Sequence, residues 1–255
     1  MSVTTLSEKM IMVDGKSIQY SLSGNEGPVI ILINGYRVKF NSWSELFPEI
    51  SEIGQVLAFN RAGVGKSSKT NVDQTGAEVV KTLKKLLVAL QLSPPYVLVA
   101  HSLGGVFANL FCREYPCEVA SVIFVEAAHP EENERQSKFR PPLLVRKLNY
   151  LLKSIDLFFD KYQHSEDDCL STTLSQIDAA DVFPEIDVVV ITGCKKMPFV
   201  PEESFKVHVR CQRDLLALSP KSRQVLAAKS GHFPQISEPE IVLDAITDEA
   251  NKLTI

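Results

Sequence analysis

The sequence predicts an α/β protein, a mostly parallel β-sheet of about eight strands flanked by helices, with a helical cap inserted. Three observations carry this. Short runs of β-branched, continuously apolar residues recur along the chain, as strands buried on both faces require. Helical stripes alternate with them. One stretch of about fifty residues carries no strand signal, which is long for a single crossover.

Met10–Val13 and Ile18–Leu22 flank Asp14-Gly15 and read as a hairpin. Further strands are expected at Val29–Ile33, Val56–Phe59, Val97–Ala100, Val119–Val125, Asp187–Thr192 and Gln224–Ala228. A helix over Trp43–Ile53 could start from Asn41 or Ser42. Ala77–Leu90 places Val79, Val80, Leu83, Leu86, Leu87 and Leu90 on one helical stripe. Leu103–Tyr115 stops before Pro116, and Glu240–Leu253 closes the chain. The organisation expected is a core of residues 1–130 and 185–255, with residues 131–184 as a helical cap or lid. Within that insertion the apolar Leu143–Phe159 suggests a lid for a substrate with an apolar moiety, although core packing explains those residues equally well.

Composition excludes several classes. Lys+Arg 27 against Asp+Glu 31 leaves a net charge of −4, without the basic excess that a phosphate backbone demands, so no nucleic-acid partner is expected. The five cysteines show neither a C-x-x-C pair nor a His at zinc spacing, so reduced thiols, no metal and a cytoplasmic setting are expected. The charged start offers no signal peptide, and no apolar run approaches the roughly 18–20 residues of a membrane span.

Val97-Leu98-Val99-Ala100-His101-Ser102-Leu103-Gly104-Gly105 reads as strand, tight turn and helix. A serine between small residues at such a bend sits on a strained backbone with its hydroxyl raised above the sheet edge. The Leu103 amide and the helix N-terminus then face any developing oxyanion. His232 follows the last strand candidate and precedes the last helix, where a loop could reach over Ser102. A serine hydroxyl needs a base, and imidazole titrates in the right range. His101 adjoins the nucleophile but is expected to point elsewhere. His129, His164 and His208 have no matching context, though His129 is near enough to line a pocket.

Here the chain resembles the α/β-hydrolase superfamily, in its serine-nucleophile, esterase-like branch. Ala100 replaces the first Gly of the elbow. Asn34-Gly35 resembles the family's His-Gly segment after a strand, and Asn60-Arg61-Ala62-Gly63-Val64-Gly65-Lys66-Ser67 its Asp-Arg-x-Gly-x-Gly-x-Ser loop. Ser230-Gly231-His232-Phe233 resembles its histidine loop. The resemblance implies Ser102 as nucleophile, His232 as base, and Leu103 and Tyr36 amides as the oxyanion hole, with no cofactor. It places the acid after the strand at Asp187–Thr192, but Gly193-Cys194-Lys195-Lys196-Met197 holds none. Some members carry it one strand earlier, where Glu126 ends its strand in the order Ser, acid, His. Glu202, Glu203 and a Ser–His dyad are the alternatives. Arg37, after the Asn34-Gly35-Tyr36 turn, could pair with a substrate carboxylate or with Glu126, or simply face solvent.

The expected activity is carboxylic ester hydrolysis on a small-molecule substrate. The rival is a hydrolase-like binding or signalling protein with little turnover, motivated by the missing late-strand acid and by Asn34. Dehalogenases and epoxide hydrolases of this fold use Asp at the elbow, against Ser102. Gly63-Val64-Gly65-Lys66-Ser67 evokes a phosphate-binding loop, but Asn60 stands where that motif needs Gly and no helix starts at Lys66.

Overall fold

The computed structural model describes residues 6–24, 26–139, 160–198 and 200–254. Eight strands form one sheet: β1 (Lys9–Val13), β2 (Lys16–Ser23), β3 (Val29–Ile33), β4 (Gln55–Phe59), β5 (Tyr96–His101), β6 (Val119–Val125), β7 (Asp187–Gly193) and β8 (Ser222–Ala227). Their order is β1-β2-β4-β3-β5-β6-β7-β8. β1 and β2 are an antiparallel hairpin, turned at Asp14 (φ 51°) and Gly15 (φ 76°), and β2 meets β4 antiparallel. All other pairings are parallel. The expected sheet is therefore present, with boundaries shifted by one or two residues.

Alternation along the strands explains the two-sided core. Ile31 and Ile33 of β3, with Leu98 and Ala100 of β5, face one layer, and Ile30, Leu32, Val97 and Val99 face the other. The first layer packs under α2 (Gly76–Ala89) and α3 (Gly104–Glu114), through Leu83, Leu87, Phe107 and Phe111. The second packs under α1 (Phe47–Ile53) and the last helix, α8 (Pro239–Asn251), through Ile50, Val242 and Ile246. Thr75 starts α2 by accepting the Glu78 amide.

One helical expectation needs correction, and one helix was not expected. Trp43–Ile53 is not one helix: a 3-10 turn at Phe40–Trp43 precedes α1, because Pro48 suits only the start of a helix. A helix not anticipated at all, α7 (Glu202–Asp214), stands between β7 and β8.

Between β6 and β7 the described residues form only helices: α4 (Glu132–Arg135), α5 (Ser165–Asp168) and α6 (Leu170–Ala179), plus a 3-10 turn. Ile177 joins the core, Leu170 and Leu174 pack on it, and Thr173 and Gln176 accept the first amides of α2, Gly76 and Ala77. α6, near the end of the 131–184 stretch, thus packs on the core beside α2. The apolar Leu143–Phe159 segment lies outside the described residues. Among the described residues no helix is long and apolar enough to cross a membrane.

Candidate active site

β5 ends at the centre of the sheet, and the chain must turn sharply there to start α3. Ser102 makes that turn at φ 52°, a left-handed conformation that a non-glycine residue adopts only under constraint. The Ser102 amide donates to the Val125 carbonyl, and the Ser102 carbonyl accepts from Gly105 and Ala128. Gly104 is required by close approach, since a Cβ there would lie 2.6 Å from the Ile33 and Asn34 carbonyl oxygens. Gly35 is required on the other side: a Cβ would stand 3.0 Å from both Ser102 Cβ and His101 Nδ1. The Asn34-Gly35-Tyr36 turn therefore lies directly beside the serine. The Leu103 amide heads the α3 turn, where helix geometry supplies no acceptor.

His232 arrives from the loop after β8. Glu238 anchors that loop by accepting from the Lys229 amide and the Ser230 hydroxyl, both at 2.7 Å. His232 Nε2 then lies 3.1 Å from Ser102 Oγ. His101, expected to point elsewhere, instead lies under this imidazole: its Nε2 donates to the His232 carbonyl at 2.7 Å. A carbonyl only accepts, which fixes the His101 tautomer. Burial, together with His232 nearby, pulls His101 down to about 4, so the ring stays neutral.

Glu126 ends β6, the strand next to β5. His101 pairs with Val125 in the parallel register, which brings the residues that follow, Ser102 and Glu126, side by side. Glu126 shares the left-handed backbone of the serine, with φ 47°. Its Oε2 is 3.5 Å from His232 Nδ1, and its Oε1 accepts the Gly193 amide at 2.7 Å. The same Oε2 is 3.0 Å from His208 Nε2 on α7, whose Nδ1 is 2.7 Å from Glu132 on α4. Burial alone would raise Glu126. Hydrogen bonds from His208, His232 and the Gly193 amide outweigh it and hold the carboxyl down to about 2. Burial likewise opposes the charge on His208, but two carboxylates lift it to about 10.

Ser102, Glu126, His208 and His232 line one cavity of about 320 Å³, whose apolar wall includes Met197 and Phe205. His129 is not among its lining residues. It lines a neighbouring cavity with Leu170 and Leu174, and its Nδ1 accepts the Glu131 amide. Arg37 does not pair with Glu126, whose partners are His208, His232 and Gly193. Its exposed guanidinium reaches Gln163 instead, with 2.7 Å to the amide oxygen in the orientation that satisfies both groups. Glu202 and Glu203 are exposed at the start of α7, where Glu203 pairs with Lys206, and neither lines the cavity.

Asn34, standing where the resemblance implies His, braces its turn on both sides. Its Nδ2 donates to the Phe59 carbonyl at 2.8 Å, and its Oδ1 accepts Trp43 Nε1 at 2.7 Å. Arg61 adds a second brace, donating to the carbonyls of Asn34 (2.6 Å) and Gly35 (2.9 Å) while forming a bidentate pair with Glu166 of α5. Tyr36 Oη meets His164 Nδ1 at 2.6 Å. The Gly63–Ser67 loop is a structural turn: Ser67 Oγ accepts the Gln19 amide, and its hydroxyl donates to the Asn60 carbonyl. Arg61 and Glu166 are 4% and 7% exposed as side chains, so Arg61→Met leaves a buried carboxylate alone. The expected cost is about 3–5 kcal/mol in a urea melt, partly recovered in Arg61→Met/Glu166→Leu.

Comparisons with known proteins agree with this architecture. A family model described as alpha/beta hydrolase fold matches residues 28–152. The chain is 25% identical over 251 residues to the uncharacterised protein YqjL of Bacillus subtilis, covering 94% of this chain and 91% of that one. It is 30% identical over 129 residues to mouse 1-acylglycerol-3-phosphate O-acyltransferase ABHD5, covering 48% of this chain and only 36% of that protein. Among solved structures it is similar to a candidate lipase, Lip1, of Acinetobacter baumannii AYE (TM-score 0.75, 17% identity, 99% and 93% of the two chains). It is also similar to the enol-lactonase of Burkholderia xenovorans LB400 (TM-score 0.67, 17% identity, 95% and 100%). The haloalkane dehalogenase DatA of Agrobacterium tumefaciens C58 shares the same fold (TM-score 0.64, 18% identity, 97% of each). With this sheet order, this elbow and these matches, the chain has the α/β-hydrolase fold, and its residues 28–152 match that family's model.

Proposed function

We propose that the protein is a serine hydrolase that cleaves carboxylic esters through an acyl-enzyme. The observation that carries this reading is the line Ser102 Oγ, His232 Nε2 at 3.1 Å, and His232 Nδ1 to Glu126 Oε2 at 3.5 Å. With Nδ1–H directed at a carboxylate, Nε2 is left with a lone pair facing the serine hydroxyl. Ser102 Oγ attacks the substrate carbonyl carbon while His232 takes its proton. The Leu103 and Tyr36 amides hold the oxyanion. His232 returns the proton to the leaving alcohol, then activates a water that releases the acid and restores Ser102.

Several further observations support an ester with an apolar part. Met197, Val200 and Phe205 line the cavity. Glu132 and Gln136 line it too, so the start of the 131–184 stretch borders the site. The fold alone does not choose the reaction, since the similar structures include a lactonase and a dehalogenase. Ser102 at the elbow favours acyl chemistry, because an acyl-enzyme needs a hydroxyl that a carboxylate nucleophile does not supply.

A fluorophosphonate probe tests the reading. Rapid labelling of the folded protein, lost in Ser102→Ala, is the expected result. An inert serine in folded protein would instead favour a binding role on a hydrolase scaffold.

A further inference from the structure

The reaction just described uses one imidazole, yet a second one touches the same carboxylate oxygen. His208 Nε2 is closer to Glu126 Oε2, at 3.0 Å, than His232 Nδ1 is, at 3.5 Å. Its other nitrogen faces Glu132 at 2.7 Å. Ionised carboxylates only accept, so both ring nitrogens of His208 must carry hydrogens and the ring is an imidazolium. Neither N–H is then left for a substrate. His208 is 16% exposed, Glu126 5% and Glu132 17%, so solvent screens this chain of charges poorly.

We propose that His208 is a positioning residue that acts on the reaction through Glu126: wedged between two carboxylates, it sets both the geometry of Glu126 and the charge that His232 meets. This rests on the assignment of Ser102, His232 and Glu126 above. With His208 charged, Glu126 and Glu132 together contribute a net single negative charge beside His232. With a neutral residue in its place they contribute two. The extra charge would favour the imidazolium form of His232, which cannot accept the serine proton.

The other groups around this chain do not substitute for it. On its own helix His208 meets the Phe205 ring, and Cys211 is held as a neutral thiol by burial. Arg135, on α4 beside Glu132, is taken by Asp214 and Glu131. Lys195, from the β7–α7 connection, lines the same cavity but is exposed. On the far side of His232 stands His101, which is neutral.

The test is the pH profile of kcat/KM on p-nitrophenyl butyrate for two variants. His208→Gln removes the cation and keeps a donor, and its acidic limb should move up by about one pH unit. Glu132→Gln removes an anion, and its limb should move down. A role confined to packing would lower activity without displacing either limb. Limbs that coincide with the wild type, or that move in the same direction, would overturn the proposal. Should His208→Gln not fold, the direction seen in Glu132→Gln decides alone. Fluorophosphonate labelling in parallel separates the two levels: if Ser102→Ala keeps full activity, the underlying assignment fails, whereas labelled and folded variants with unmoved limbs sink only the role of His208.

Discussion

Ser102→Ala and His232→Ala should each lower kcat on an activated ester by about 10⁶-fold, and the double variant should lose no more than either alone. The two groups act as one unit. Without the hydroxyl no acyl-enzyme forms, and His232 has no proton to take. Without the imidazole the hydroxyl keeps its proton, since burial makes the next ring, His101, a weak base. What remains is turnover by the Leu103 and Tyr36 amides acting on bound substrate, which such sites retain at about 10³–10⁴-fold over water. Burst kinetics should vanish in both variants. Losses that multiply in the double variant would mean that Ser102 and His232 act independently, contrary to their 3.1 Å contact.

The sheet was legible because burial on two faces leaves a compositional trace. β3 is Val, Ile and Leu throughout, and β5 and β6 depart from apolar residues only at His101 and Ser121, and such runs have few other homes. The elbow was legible for a related reason: small residues around Ser102 report a backbone that side chains would obstruct. The candidate acid on β6, Glu126, came from the family resemblance, some of whose members carry the acid one strand earlier, once no carboxylate was found after β7. What stayed hidden was α7. Its buried residues, Ser204, Cys211 and Gln212, are polar or weakly apolar, so no stripe of aliphatic residues announced it. Ser204, His208, Cys211 and Gln212 do recur at i, i+4, i+7 and i+8, and that spacing was the available signal. His208 was missed with its helix. Its significance depends on Glu126 and Glu132, 82 and 76 residues away in sequence, which no local pattern links.

The same remoteness explains the buried pair of Arg61 and Glu166. Arg61 was visible as part of a loop motif, whereas Glu166 sits 105 residues on, in the insertion. Their meeting ties the turn that carries the Tyr36 amide to α5. α5 is therefore keyed to the site through Arg61 and the backbone carbonyls of Asn34 and Gly35.

Glu126→Gln should lower kcat by about 10⁴-fold with little change in KM. The Gly193 amide dictates how the new side chain sits. It donates to Oε1 at 2.7 Å, so the glutamine carbonyl must take that position and its NH₂ must point at His232 and His208. His232 Nδ1 would then face a donor and have to accept. The ring hydrogen moves to Nε2, where it confronts the serine hydroxyl and removes the lone pair the reaction needs. The loss is thus one of tautomer more than of charge, and added salt should not restore it. A companion measurement separates the roles: kcat unchanged with a raised KM would make Glu126 a substrate contact and leave a Ser102–His232 dyad as the catalytic unit.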